Sequence, residues 1–179
     1  DGPFLDVQAT ALSRERVIRA LFGDTSRPAA EPGRIALADE GTLYIENADT
    51  LPVGVQDSLR TGLRSGQFPC PGTRRIVHSE PLLIVALLEP PEKLLEDGAL
   101  SGEFLSSFPH TIEIPPLRAR REDLPELAEG FLGEVAREYA RDELILAPDA
   151  MEALLRYDWP GNVRELQRTV ERLVLLTAG

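Results

Sequence analysis

The fold of this chain is decided by the stretch GTLYIEN, residues 41–47. Its apolar and β-branched residues run from Thr42 to Ile45 and end at the carboxylate of Glu46, which is the pattern of a buried strand in a parallel sheet. Open α/β folds bind their ligands at the carboxyl ends of such strands. We therefore expect Glu46 and Asn47 to lie where a functional site would be built.

These two residues differ in the chemistry that they can support. Glu46 carries a carboxylate that can bind a metal ion, whereas the amide of Asn47 accepts no proton near neutral pH. General-base catalysis at this point needs a carboxylate or an imidazole. The pair therefore decides whether the predicted site can activate water.

Further short apolar segments extend the α/β pattern. Phe4–Val7, Leu82–Leu88 and Thr111–Ile114 are strand-like and alternate with helical segments. This alternation predicts a mostly parallel sheet flanked by helices over residues 1–114.

The pattern changes at Pro115 and Pro116. Two consecutive prolines exclude helix and favour extended backbone before them, so we expect a stiff linker at residues 115–118. Beyond it, residues 119–179 are predicted to form a small all-helical lobe. Its helices are expected at Pro125–Ala140, Pro148–Arg156 and Val163–Leu176.

The composition excludes several classes of protein. The chain has 179 residues, 42% of them hydrophobic, and a net charge of −11, which opposes binding of the whole chain to phosphate backbones. Cys70 is the only cysteine, and His78 and His110 lack metal-ligand spacing. Leu82–Leu88 is far shorter than the roughly 20 residues that cross a bilayer, and the first residues do not resemble a signal peptide. We expect a soluble cytoplasmic protein with no membrane partner.

The last predicted helix combines an apolar face with a basic ridge. Arg164, Arg168 and Arg172 follow one another at intervals of four residues. With the preceding helix, this part imitates a helix-turn-helix whose second helix would enter the major groove. A helical hairpin whose arginines pair with Glu165 and Glu171 is the simpler interpretation, and the spacing favours it. The buried face is predicted to consist of Val163, Leu166, Val170, Leu173 and Val174.

Four motifs, in this order, resemble one protein family. They are GTLYI at residues 41–45, the proline-opened helix with Gln56 and Leu59-Arg60, PPLRARREDL at residues 115–124, and YDWPGNVREL at residues 157–166. They resemble the AAA+ central domain of the bacterial enhancer-binding proteins, the activators of sigma-54 RNA polymerase. The resemblance covers essentially the whole chain. It implies a three-layer α/β lobe followed by a helical lid, an ATP site between them, and hexameric ring assembly on promoters.

Two loops of the family have no counterpart in this chain. The family's glycine-rich P-loop and its lysine precede the strand at Phe4–Val7, and the chain begins after that point. Without them, the phosphates of ATP lose their backbone and lysine contacts. The family's sigma-54-contacting loop follows Leu21-Phe22-Gly23, where this chain has DTSRPAA at residues 24–30 and a shorter connection. The comparison of motifs therefore implies that the sigma-54-contacting loop is absent.

Three polar positions depart from the family pattern as well. The family's Walker B pair, Asp-Glu, stands here as Glu46-Asn47. The sensor I asparagine falls on or beside Leu88, and the asparagine that restrains the catalytic glutamate corresponds to Gln8. Each change removes or displaces a polar function.

The arginine fingers are also absent from their expected segment. The family places them where this chain has serines such as Ser101 and Ser107, and no arginine occurs between Arg75 and Arg118. Loss of an arginine finger removes about three to five decades of rate in phosphoryl transfer. The sensor II arginine of the family is matched, by Arg164.

Together these departures favour a degenerate AAA+ domain, a pseudo-ATPase, that serves oligomerisation or protein contact in a sigma-54-activator-like regulator. No catalytic or metal-binding residue is assigned, and Glu46 and Arg164 are the candidate cofactor-binding residues. The expected partners are further copies of the chain, as a dimer or a ring, and the transcription machinery or another regulator, with DNA bound through a domain outside this chain. No cofactor is expected in this chain itself. Two alternatives stay open: an intact ATP-driven activator whose upstream P-loop brings ATP and Mg²⁺, and DNA binding through the last two helices.

Overall fold

A parallel three-stranded sheet forms the centre of the first part of the molecule. The computed structural model describes residues 2–10, 12–24, 31–141 and 144–176. The chain divides into two compact units, Asp1–Thr111 and Ile112–Gly179. The first unit contains β1 (Phe4–Gln8), α1 (Arg14–Phe22), α2 (Arg34–Leu37), β2 (Thr42–Glu46), α3 (Val53–Ser65), β3 (Gln67–Pro69), β4 (Ile76–His78), β5 (Leu82–Val85), α4 (Pro91–Glu96) and α5 (Gly102–Leu105), and the second contains α6 (Leu124–Glu138), α7 (Pro148–Arg156) and α8 (Asn162–Leu176).

The sheet of the first unit has the order β1-β2-β5, and β3 and β4 form a separate antiparallel hairpin. Its register aligns Val7 with Ile45 and Leu43 with Leu83. These four side chains are buried on one face, in the same apolar core as residues of α1 and α3. The predicted fold class, a mostly parallel α/β sheet followed by an all-helical part, is confirmed.

The opposite face of the sheet carries several apolar side chains that are exposed among the described residues. Phe4 and Leu82 are 66% and 63% exposed, and Ile84 is 41% exposed. The rings of Phe4 and Tyr44 stack with their centroids 6.3 Å apart. Since parallel sheets usually bury both faces, this surface differs from the fully packed face that holds Val7 and Ile45.

One predicted strand is shorter than expected, and another is not formed. The predicted strand Leu82–Leu88 ends at Val85, because β2 ends at Glu46 and the chain then turns away, so that later residues have no ladder partner. Thr111–Ile114 is not a strand, and its Ile112 and Ile114 are 89% and 77% exposed. A β-branched sequence forms a strand only where a neighbouring strand pairs with it, and no described strand does so here.

The helical unit packs its three helices around a separate core. Leu117, Leu124 and Leu166 are fully buried there, and Trp159 is 2% exposed. The indole N–H of Trp159 donates to Leu154 O at 2.9 Å, so the buried ring leaves no unpaired donor. The helices predicted from Pro125, Pro148 and Val163 are all formed, with ends that differ by at most two residues.

One residue of α8 that was predicted to be buried is exposed. Leu166, Val170 and Val174 are buried as predicted, and Val163 is half-buried, whereas Leu173 is 37% exposed. Successive residues are about 100° apart around a helix, so Leu173 lies well to the side of Val174. The buried residues of α8 therefore follow one another at intervals of four, as Leu166, Val170 and Val174.

The predicted pairing of the α8 arginines with Glu165 and Glu171 is also wrong. Glu165 instead accepts from the backbone N–H of Gly161 at 2.8 Å and from the Tyr157 hydroxyl at 3.2 Å. An unpaired backbone donor at the start of a helix competes well for a nearby carboxylate. Glu171 makes no ion pair with a described arginine, and Arg164, Arg168 and Arg172 are all exposed.

In the described part of the chain, no helix is long and apolar enough to span a membrane.

Candidate functional site

The carboxyl ends of β1 and β2 bring together three of the predicted site residues. Gln8 and Glu46 are paired positions of neighbouring strands, so their side chains leave the sheet on the same face. The N–H of Ala9 donates to Glu46 O at 3.0 Å and holds the two strand ends together. Asn47 follows directly. Gln8, Glu46 and Asn47 therefore share one edge of the sheet, as expected for the ligand edge of an α/β fold.

Asn47 has a left-handed backbone, with φ 56° and ψ 48°. Asparagine adopts this region more readily than most residues other than glycine. Its amide Nδ2 donates to Thr10 Oγ1 at 2.7 Å, and its carbonyl accepts from the N–H and the hydroxyl of Thr50 at 3.0 and 2.8 Å. The side chain of Asn47 is therefore bound to the loop that follows β1, and it offers no base to a substrate.

A carboxylate that the sequence analysis did not assign lies just beyond this edge. Asp49 belongs to a short 3₁₀ turn, Ala48–Thr50, whose first N–H donates to Ala86 O at 3.0 Å beyond the end of β5. Asp49 Oδ1 is buried and has no hydrogen-bond partner among the described residues. Burying an acceptor without a hydrogen bond lowers the stability of a fold by about 1–3 kcal/mol. The signal that could have found it is an acidic residue in the first turn after the strand.

The sensor I position, expected on or beside Leu88, lies beyond the end of β5. Leu88 follows the end of β5 and is 72% exposed. Its side chain has no polar atom and supplies no hydrogen bond to the carboxyl edge.

The family's arginine fingers are expected between Ala99 and Phe108, here called the finger segment. Two of its serines, Ser101 and Ser107, form hydrogen bonds within and beside α5. Ser101 is the N-cap of α5, where its hydroxyl oxygen accepts from the N–H of Phe104 at 3.1 Å. The hydroxyl of Ser107 donates to Glu103 O at 3.1 Å. Ser101 therefore satisfies a helix-start donor, and neither serine reproduces the charge of an arginine.

Gln56, on α3, holds this segment through hydrogen bonds. The sequence analysis named Gln56 in a motif but did not predict this role. Its side chain is 1% exposed. Nε2 donates to Leu51 O at 2.9 Å and to Ala99 O at 2.8 Å, and Oε1 accepts from the N–H of Ser101 at 3.2 Å. A buried amide with all of these bonds fixes the position of the finger segment against α3. The available signal was a lone glutamine on the apolar face of an amphipathic helix.

The segment in which the family's sigma-54-contacting loop was expected to be missing is closed at its base. Gly23 and Pro32 form a β-bridge, and the N–H of Asp24 donates to Glu31 O at 3.2 Å. Residues 25–30, which hold most of the shortened segment, lie outside the described residues.

Arg164 lies in the first turn of α8, in the helical unit. Its side chain is exposed, and it makes no ion pair with a described residue. Glu46 belongs to the α/β unit, so the two candidate cofactor-binding residues are held by different units.

One ionisable group of the helical unit is clearly perturbed. The carboxylate of Glu165 lies beside the Tyr157 hydroxyl and raises the pKa of Tyr157 above its ordinary value of 10.0 by repelling the phenolate and accepting the phenol's hydrogen bond. Among the described residues, no group of three or more His, Cys, Asp and Glu side chains could hold a metal ion.

Two families of known proteins match almost the entire chain. Residues 1–110 match the family described as the Sigma-54 interaction domain, and residues 118–179 match the family described as the AAA+ ATPase lid domain.

Curated relatives and a solved structure extend these matches. The DNA-binding transcriptional regulator NtrC of Salmonella typhimurium is 33% identical over 184 residues, which are 99% of this chain and 39% of the relative. The Nif-specific regulatory protein of Herbaspirillum seropedicae is 34% identical over 189 residues, covering 100% of this chain and 34% of the relative. NtrX from Brucella abortus in complex with ATP superimposes with a TM-score of 0.89 at 31% identity, over 99% of this chain and 40% of that one. The chain thus spans roughly two fifths or less of the length of these relatives.

Proposed function

Because this chain belongs to the Sigma-54 interaction domain family and continues into an AAA+ ATPase lid, we propose that it is a transcription-regulator domain that has lost ATP hydrolysis. It is a sigma-54-activator-like AAA+ domain by family. In this proposal the domain serves assembly into a homo-oligomer, a dimer or a ring, and contact with the transcription machinery or another regulator. The regulator acts in the cytoplasm and binds DNA through a domain outside this chain.

One observation carries this proposal. At the carboxyl edge of the sheet, Asn47 donates its amide to Thr10 Oγ1 at 2.7 Å instead of presenting a proton acceptor. A water molecule that attacks a phosphoryl group needs such an acceptor or an equivalent orienting group. The half-buried Glu46 precedes it, at the position of the family's aspartate, and stands one position too early to replace Asn47.

The finger segment supports the same proposal. Ser101 and Ser107 satisfy backbone groups of their own helix, so the segment is built as a structural element. Gln56 holds it in place through three hydrogen bonds. The scaffold of the domain is thus kept while the charges that accelerate hydrolysis are replaced.

Nucleotide binding without hydrolysis is compatible with this proposal. The oxygen atoms of Glu46 and Gln8 at the carboxyl edge suit a hard cation such as Mg²⁺. ATP and Mg²⁺ are the cofactors to test if a P-loop lies upstream of this chain.

The decisive experiment is a steady-state phosphate-release assay on the full-length protein. We expect turnover far below the common enzyme range of about 1–10³ per second. Asn47→Glu alone should not restore it, because the finger segment still lacks arginine. Asn47→Gln, which keeps an amide, is the matched control. Wild-type turnover within tenfold of the common range would contradict the proposal.

Binding to sigma-54 provides a second test. Because the connection between Gly23 and Pro32 is short and closed by a β-bridge, we expect no stable complex with purified sigma-54 in the presence of an ATP transition-state analogue. Light scattering or native gels measure this directly. An analogue-dependent complex would show that a different surface makes the contact.

DNA binding through α8 is a second candidate function, favoured by one observation. Arg164, Arg168 and Arg172 are exposed and make no ion pair with a described residue. Three such arginines on one ridge can contact phosphates. Replacing all three with glutamine should abolish any binding of this domain to duplex DNA in a gel-shift assay, and unchanged binding would exclude α8.

A further inference from the structure

An open cleft of about 530 Å³ lies between α3 and the end of α5, and it uses no residue of the sheet's carboxyl edge. Its size is within the range of sites that bind small molecules. Its lining is formed by Arg60, Leu63, Arg64, Glu103, Ser106 and Ser107.

Arg60 is held in this lining with unused donor capacity. Its NH1 lies 3.2 Å from Glu103 Oε2, and its NH2 lies 4.0 Å from Asp57 Oδ1. Its Nε is buried and has no hydrogen-bond partner among the described residues. A buried N–H without an acceptor is rare in folded proteins, and it leaves one donor of this guanidinium unused by the protein.

Arg64 adds a second cation one helical turn later. It is exposed and makes no ion pair with a described residue. Two like charges four residues apart on a helix repel each other. The lining therefore contains two guanidinium groups and one carboxylate, that of Glu103, whose side chain is 76% exposed.

The serines on the opposite wall can supply neutral donors. The hydroxyls of Ser106 and Ser107 donate to the same acceptor, Glu103 O, at 3.0 and 3.1 Å. Because two hydroxyls share one carbonyl, one of them can rotate toward a ligand and leave the carbonyl paired. A hydroxyl rotates freely about its C–O bond.

From this arrangement we propose that the cleft binds a phosphoryl group, either as inorganic phosphate or as a phosphate ester. Guanidinium groups bind phosphate oxygens through paired, charge-assisted hydrogen bonds. A phosphate dianion balances the charges of Arg60 and Arg64 better than one carboxylate does. Glu103 competes with the ligand for Arg60, and its high exposure lets it move into solvent.

Isothermal titration calorimetry of the full-length protein with inorganic phosphate and with pyrophosphate tests this assignment. Glu103→Gln should tighten binding about three- to tenfold, because it removes the competing charge. Arg64→Ala should weaken binding about tenfold or more, as expected for a lost charge-assisted hydrogen bond. Arg168→Ala, another exposed helical arginine, is the matched control and should change nothing. Arg64 and Glu103 are largely exposed, so these variants should fold.

The same titration distinguishes the two sources of the phosphoryl group. Tighter binding of a nucleoside monophosphate than of phosphate, lost in Arg64→Ala, assigns the cleft to a phosphate ester. Tighter binding of phosphate assigns it to the free anion. Absence of millimolar binding in both the wild type and Glu103→Gln would overturn the proposal, as would equal weakening by Arg168→Ala or equal affinity for a dicarboxylate. ATP turnover in the assay above would leave this inference untouched, because Arg60 and Arg64, which carry it, take no part in the proposed loss of hydrolysis.

Discussion

Asn47 in the α/β unit and Asn162 in the helical unit both have a positive φ angle, and they have different tasks. Their φ angles are 56° and 51°, and each follows a turn or strand end. The Asn47 amide donates to the exposed side chain of Thr10 at 2.7 Å. Asn162 Oδ1 accepts from the backbone N–H of Leu117, a fully buried residue, at 2.9 Å.

An asparagine at position 47 has a structural role that is independent of catalysis. A left-handed position favours asparagine over most other side chains, because its short amide can hydrogen-bond locally. In the helical unit this preference is used to join the start of α8 to the segment before α6. At the sheet edge it fixes a loop where the family resemblance implies a catalytic carboxylate. The same local physics therefore joins two segments of the core in one unit and fixes the edge of the sheet in the other.

The largest effect is expected for Asn162→Ala. The change forces alanine into the left-handed region, at about 1–2 kcal/mol, and leaves the partly buried N–H of Leu117 without its acceptor, at about 1–3 kcal/mol. We expect a total loss of about 2–5 kcal/mol in the free energy of unfolding, measured by urea denaturation. Asn162→Gly removes the hydrogen bond without the backbone strain and should cost less. Equal losses for the two variants would show that the backbone conformation contributes nothing.

A smaller effect is expected for Asn47→Ala. Its hydrogen bond to Thr10 is exposed, so its loss should cost under about 1 kcal/mol, with backbone strain of about 1–2 kcal/mol added. A double-mutant cycle with Thr10→Val isolates the side-chain pair. We expect a coupling energy of about 0.5 kcal/mol in urea denaturation. A coupling as large as the Asn162 effect would contradict the distinction between the two asparagines.

The smallest effect concerns a second contact of the Asn162 turn, the hydrogen bond from Tyr157 to Glu165. The folded-state pKa of Tyr157 lies above the unfolded value of 10.0. The resulting stability is fully present below pH 10 and is lost as pH rises through the raised pKa of Tyr157. Glu165→Gln should lower this pKa toward 10.0, because it removes the negative charge and keeps an acceptor for Gly161.

Tyrosinate absorbance during an alkaline titration measures the shift, and Tyr157→Phe assigns the signal. Identical titration curves for the wild type and Glu165→Gln would show that the carboxylate does not interact with the phenol in solution.

Local sequence patterns predicted much of this fold. The strand Thr42–Glu46, the helix Pro148–Arg156 and the buried residues of α8 all follow from residue periodicity and proline positions. The edge shared by Gln8, Glu46 and Asn47 also follows, because parallel strands end on the same side. The pseudo-ATPase assignment, the sequence boundaries of the linker and the role of Arg164 stay predictions.

The errors occur where an element or a contact depends on residues outside the element itself. Thr111–Ile114 has a strand-like sequence but no described partner strand, and strand formation depends on hydrogen bonds to another segment. Glu165 was expected to pair with arginines of its own helix and instead binds Tyr157 and Gly161 in the preceding turn.

The sequence by itself determined the fold class, the family and the residue types at the carboxyl edge. These depend on side-chain order along the chain, which periodicity and motif spacing record directly. Tertiary structure alone decided that Gln56 holds the finger segment, that Asn47 binds Thr10, and that Arg60 and Arg64 share a cleft with Ser107. Each of these contacts joins residues about 37 or more positions apart, and only the packing of helices and strands brings such residues within hydrogen-bonding distance or into one cavity.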